Sequence, residues 1–177
     1  MPLAEFRYAS GHKVHAGDKG RVYPPKGYVG GGGVIYVLRA AIHGPDANLW
    51  GALKVASDDL NVTLQVNSFD TGTHSPNSRH YAGLAADINK MGDKRSTWQQ
   101  VTMNNRFAVE FVDLFLAAGW RIGEGDPTRA GILLGPPHSR WNPTGIDHTT
   151  HLHLSIARFR PGEMPPGFEG ERLDTHC

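Results

Sequence analysis

Cysteine is almost missing from this chain: there is one, Cys177, among 177 residues. A single thiol closes no internal disulfide and builds no cysteine-rich zinc site, so cysteine usage neither demands nor excludes export. Long apolar runs are missing too. The longest, around Val34–Ile42 and Phe111–Ala118, fall short of the ~18–20 residues a membrane span requires, which excludes a spanning helix. Neither sign of charge dominates. Eighteen Lys and Arg stand against 17 Asp and Glu, interspersed, for a net charge of +1, and phosphate neutralisation needs clustered basic residues, so no nucleic-acid partner is expected. The glycine run Gly30–Gly33 has no Gly-Lys-Ser/Thr after it and no GxGxxG pattern, so it is not a phosphate loop and reads as a flexible connection. Met1–Tyr8 carries Glu5 and no apolar stretch of the kind a secretory leader has. No signal peptide is visible, and action outside the cell implies lysis, another export route or a leader missing from this chain.

What is present fits one globular domain. The chain is 39% hydrophobic and 20% charged, and a domain of this size buries roughly two-thirds of its unfolded surface. Residues 1–33 are rich in Gly, Pro and charge without a sustained apolar period and read as an irregular arm. Residues 160–177 hold three prolines and little apolar content, as a surface wrap or tail does. The domain proper is 34–159. Val34–Ile42 suits a buried strand or a first helical turn, and periodicity does not choose between them. Asp46 can cap a helix over about Ala47–Asp59, where Leu49, Trp50, Leu53, Val55 and Ala56 form a stripe. Val62, Leu64 and Val66 alternate with Thr63, Gln65 and Asn67, the pattern of a half-buried strand.

After the polar loop Ser68–Arg79 comes a short element, Leu84–Ile88. Val101–Ala118 is the strongest helix, stopped by Gly119. Trp120–Ile122, Ile132–Leu134 and Leu152–Ile156 read as strands. Helices and strands mix without a regular βαβ rhythm, so the fold class is α+β with a central antiparallel sheet.

Ten histidines are an unusual count, and five fall in two short windows, His74–His80 and His148–His153. On a strand, His151 and His153 point to one face while Leu152 and Leu154 point to the other. Zinc accepts imidazole nitrogen and carboxylate oxygen, and a catalytic site uses three protein ligands and leaves a fourth position open. His80, Asp87 and His153 supply such a set.

The run Ser78-x-His80-x-x-Gly83-x-Ala85-x-Asp87, followed by His151-x-His153, resembles the signature of the LAS metallopeptidases. These comprise the D-Ala-D-Ala carboxypeptidases and dipeptidases, related phage endolysins, the murein endopeptidases and the hedgehog signalling domain. The resemblance covers roughly Val62–Ile156. It implies a small α+β fold whose central antiparallel sheet carries one Zn2+ per chain on His80, Asp87 and His153. It also implies peptidoglycan stem peptides as substrate, cut by a D,D- or L,D-type carboxypeptidase or endopeptidase.

The chain departs from the pattern in three places. Thr150 stands where many family peptidases have an acidic base. Asp147, six residues before His153, has a spacing similar to the hedgehog domain, which leaves a zinc-containing binding module without hydrolysis as the alternative function. Ser68-Phe69-Asp70 stands where the carboxypeptidases place a carboxylate-binding Arg.

A zinc peptidase would assign Asp147 as general base and His151 as a hydrogen-bond donor to the water or developing oxyanion. His74 and His148 are candidates for the same shell, and Glu124 is a reserve base. Ser78 and Arg79 are candidates for substrate contact, and Arg79, Arg95 and Arg121 could meet a carboxylate.

Overall fold

The computed structural model describes residues 21–74, 78–93, 98–101, 105–123, 131–136, 142 and 150–156. Most of the arm, the whole tail, and Arg95, Glu124, Asp147 and His148 lie outside the described residues.

Among the described residues, two helices and one eight-stranded sheet make up the fold. The strands are β1 (Gly27–Val29), β2 (Val34–Val37), β3 (Val62–Ser68), β4 (Ala85–Asp93), β5 (Gln99–Gln100), β6 (Arg121–Ile122), β7 (Ile132–Leu134) and β8 (Leu152–Ser155). Their spatial order is β1-β2-β3-β4-β8-β7-β6, with β5 paired to β4. The centre, β3-β4-β8-β7, is antiparallel. However, β2 runs parallel to β3 and β6 runs parallel to β7, so the sheet is mixed rather than wholly antiparallel. For β2 and β3 the cause is a crossover: helix α1 (Ala47–Leu60) carries the chain from β2 back to enter β3 in the same direction.

α1 starts where Asp46 accepts the Asn48 N–H at 2.8 Å and stops at Asn61, which takes a left-handed φ of 52°. Helix α2 (Arg106–Ala117) starts five residues later than the apolar pattern predicts. Asn105 explains the late start. Its Oδ1 accepts the N–H groups of Phe107 and Ala108, while its Nδ2 reaches the carbonyls of Met91, Gln99 and Gln100. Val101 is held on the sheet, where its N–H donates to the Asn89 carbonyl. Gly119, at φ 94°, ends α2 as expected.

Both helices pack on one face of the sheet. Leu49, Leu53 and Ala56 of α1 and Ala108, Phe111, Val112 and Phe115 of α2 join Ile35, Leu64, Val66, Ile88, Met91, Leu152 and Leu154 in one buried core. Phe115 meets Trp120 edge-on at 4.7 Å between ring centroids. No helix among the described residues is long and apolar enough to cross a membrane.

The end of the arm is more ordered than its composition predicts. Gly27–Val29 pairs with β2. The glycine run is packed against α1 instead of forming a flexible link: Gly32 and Gly33 donate their N–H groups to Asp58 Oδ1, and a Cβ at Gly33 would lie 2.3 Å from the Ser57 backbone. These glycines serve close approach. β3 is likewise buried on both faces, with Thr63 and Gln65 enclosed, where alternation predicts a half-exposed strand. Gln65 is flanked in register by Tyr36 and Lys90.

Candidate metal centre

Pairing of the central strands puts Ser68, Asp87 and His153 in one row across β3, β4 and β8, on the face away from the helices. Asp87 and His153 are direct cross-strand partners, the closest approach two side chains on a sheet can have. His153 Nδ1 is 3.0 Å from Asp87 Oδ1. His151, two residues earlier on the same face, brings its Nε2 to 3.5 Å from that oxygen.

His80 arrives from the turn that precedes β4. The turn is tied by Tyr81 N–H to Ser78 O, Gly83 N–H to His80 O and Leu84 N–H to Arg79 O. Ser78 Oγ accepts the His80 backbone N–H. Gly83 sits at φ 74°, and a Cβ there would lie 2.8 Å from both Arg21 Nε and the Gly44 carbonyl oxygen. Two independent reasons therefore require glycine at this point of the motif.

His80 Nδ1 lies 2.5 Å from the carbonyl oxygen of Phe69. A carbonyl only accepts, so Nδ1 carries the proton and the Nε2 lone pair faces the cleft. Nε2 lies 3.3 Å from Asp87 Oδ1 and 3.3 Å from His153 Nδ1. Burial works to raise the Asp87 carboxyl pKa. When the rings of His153 and His80 are doubly protonated, the hydrogen bonds they donate and the charge they carry outweigh it and hold the carboxyl well below the usual carboxylate range.

His74 stacks on His80 with ring centroids 3.8 Å apart and planes 6° from parallel. Its Nε2 is 2.9 Å from the Thr71 carbonyl oxygen, and its backbone and the Tyr81 hydroxyl exchange hydrogen bonds. Burial, and then the charge of His80, lower its pKa from the ordinary histidine value.

A second set of interactions holds the loops that surround the cleft. Asp70, 3% exposed, accepts the N–H groups of Ile42, His43 and Gly44 and pairs with Arg21 Nη2 at 3.1 Å. Arg21 also donates to the Gly44 and Tyr81 carbonyls. One buried ion pair thus joins the segment after β2, the segment after β3 and the His80 turn.

The resulting cleft has a volume of about 360 Å³ and is lined by Arg39, Asn67, Ser68, Thr71, Gly72, Thr73, His74, Ser78, His80, Asp87, His151 and His153. His74, His80 and Asp87 place ligand atoms within 4.8 Å of one another and could hold a metal ion. The sequence-predicted residues His74, Ser78, His80, Asp87, His151 and His153 therefore converge. Two arginines expected near substrate do not. Arg79 is 2% exposed and donates to the carbonyl of Ile156, the residue that follows β8. Arg121 belongs to β6 and does not line the cleft. The loop Ser68–Asn77, whose Asn and Thr content suits hydrogen bonds to an extended peptide, supplies Thr71 and Gly72 to the lining, whereas Arg39 escaped sequence reading because only the pairing of β2 with β3 brings it there.

No protein-family model, curated protein or solved structure matches the chain.

Proposed function

We propose that this chain is a zinc-dependent peptidase acting on peptidoglycan stem peptides, with one Zn2+ held by His80 Nε2, Asp87 Oδ1 and His153 Nδ1. The observation that carries the reading is the spacing of those three atoms, 3.0, 3.3 and 3.3 Å. Ligand atoms about 2.0–2.1 Å from a tetrahedral zinc stand about 3.4 Å apart, so the donor set fits the ion in chemistry and in size. His74 is the poorer third ligand. An imidazole lone pair lies in its ring plane, and two rings stacked in parallel planes cannot both aim at one ion. When bound, zinc polarises a carbonyl and lowers the pKa of a water towards about 7.

The chain's own residues do the rest. Phe69 fixes the His80 tautomer through its carbonyl. Ser68 Oγ, 3.5 Å from Asp87 Oδ2, and His74, stacked on His80, orient two of the ligands from outside. His151, 30% exposed at its side chain and beside the set, is placed to donate to an oxygen on which charge develops. Asp147 takes the role of general base on the strength of its spacing in the sequence, six residues before His153. The substrate class rests on the resemblance of the two motifs to the LAS metallopeptidases.

The test is digestion of purified peptidoglycan and synthetic stem peptides by zinc-loaded protein, read by product mass. Chelator-sensitive cleavage that Asp147→Asn abolishes without loss of zinc is the expected result. Intact substrates from fully zinc-loaded protein would refute hydrolysis and favour a hedgehog-like binding module.

A further inference from the structure

Among the described residues of the cleft there is one permanent cation, Arg39, and neither metal binding nor proton transfer uses it. It follows the end of β2 and is exposed, with no hydrogen-bond or ion-pair partner among the described residues. Its surroundings are nevertheless fixed. Three residues further on, the chain is pinned by the N–H groups of Ile42, His43 and Gly44 on Asp70. On the other side Arg39 Nη1 rests against Gly72, 3.0 Å from the position a Cβ would occupy, and His74 Nε2 lies 3.8 Å from the same point. Gly72, at φ 93°, leaves the space the guanidinium fills. The fork thereby lies at the His74 end of the cleft, with its donors unspent.

We propose that Arg39 anchors a carboxylate of the bound peptide and thereby sets which peptide bond lies over the His80–Asp87–His153 set. The inference rests on the peptidase reading above. A planar guanidinium with free N–H groups matches a carboxylate in two parallel hydrogen bonds, a fit that the other cleft donors, hydroxyls, amides and single imidazole N–H groups, do not reproduce. The carboxylate has two sources. The terminal carboxylate of the peptide would make the enzyme a carboxypeptidase; an acidic side chain in the interior of the stem would make it an endopeptidase.

The experiment uses synthetic stem-type pentapeptides as free acid or C-terminal amide, each with an interior glutamate or glutamine. Zinc-loaded wild type, Arg39→Ala and Arg39→Lys are compared by kcat and KM. Calorimetry on analogues with an uncleavable amide isostere gives binding apart from turnover. Wild type is expected to prefer the acid over its amide at one of the two positions by about tenfold or more, the scale of hydrogen bonds to charged groups. Arg39→Ala erases that preference through KM and Kd more than through kcat at unchanged zinc content, and Arg39→Lys restores part of it. The position at which the preference appears names the source. Equal preference in wild type and Arg39→Ala overturns the inference, and cleavage by both would leave the peptidase reading standing. Failure of zinc-loaded wild type to bind or cut any of the peptides overturns both.

Discussion

Replacing Asp70 by alanine removes the acceptor that holds three loops around the cleft. The variant orphans the N–H groups of Ile42, His43 and Gly44 and leaves Arg21 without its carboxylate, in a pair whose side chains are 6% and 2% exposed. Removing one partner of a buried pair costs about 3–5 kcal/mol. The stranded N–H groups, of which the Gly44 contact is buried, weigh in the same direction. Water entering the space and relaxation of the exposed end of the loop limit the total, so a loss of about 4 kcal/mol is expected. For a chain of this length that is a fall in Tm of about 8–16 °C. Thermal unfolding of metal-free protein measures it without interference from ligand binding. Asp70→Asn, which keeps one acceptor oxygen, should lose distinctly less. A Tm within about 2 °C of wild type for Asp70→Ala would show that the loops are held by something else and would refute the reasoning.

Gly83→Ala forces a side chain into a left-handed φ of 74° and against Arg21 and the Gly44 carbonyl; a loss of about 1–3 kcal/mol is expected in chemical denaturation, and wild-type stability would refute the packing argument. The metal-free protein should lose stability in acid in two stages. His74 has a folded pKa below its ordinary 6.5, so as pH falls through that value the unfolded chain takes up a proton that the fold resists, and stability declines. Asp87 is held below its ordinary 3.8; its contribution is complete above that value and is lost as pH falls further. Tm recorded from pH 8 to pH 3 checks both, and a Tm that rises on acidification would contradict the signs. Asn105→Ala should cost about 1–2 kcal/mol by uncapping α2, measured by urea unfolding; an unchanged midpoint would refute the cap.

Local signals carried much of this fold. The Asp46 cap, the apolar stripe of α1, the alternation of β3 and the Leu-His-Leu register of β8 are each written in neighbouring residues, and each element formed there. Alternation on β8 likewise fixes that His151 and His153 share a face, whereas their meeting with His80 and Asp87 is a long-range contact that no local pattern encodes and that the resemblance to the LAS metallopeptidases implied. Non-local facts were less legible. Val34–Val37 is four residues long, too short for periodicity to separate strand from helix, and without it the crossover through α1 and the parallel pairing with β3 were invisible. Composition misread Gly27–Gly33, since glycine marks both flexible links and places where backbones touch. Arg79, expected near substrate, is buried, and Arg39, which drew no expectation, lines the cleft, for the same reason: which arginine is enclosed and which faces the cleft depends on tertiary contacts that adjacency in sequence does not encode.

The central claim is that His80, Asp87 and His153 hold one zinc. Metal content by mass spectrometry on purified wild type, His80→Ala, Asp87→Ala, His153→Ala and His74→Ala, each loaded with zinc and desalted, tests it directly. The account predicts one zinc per chain in wild type and in His74→Ala, and little or none in the other three. Full zinc in His153→Ala together with its loss in His74→Ala would contradict the account and move the ion to the His74–His80–Asp87 group.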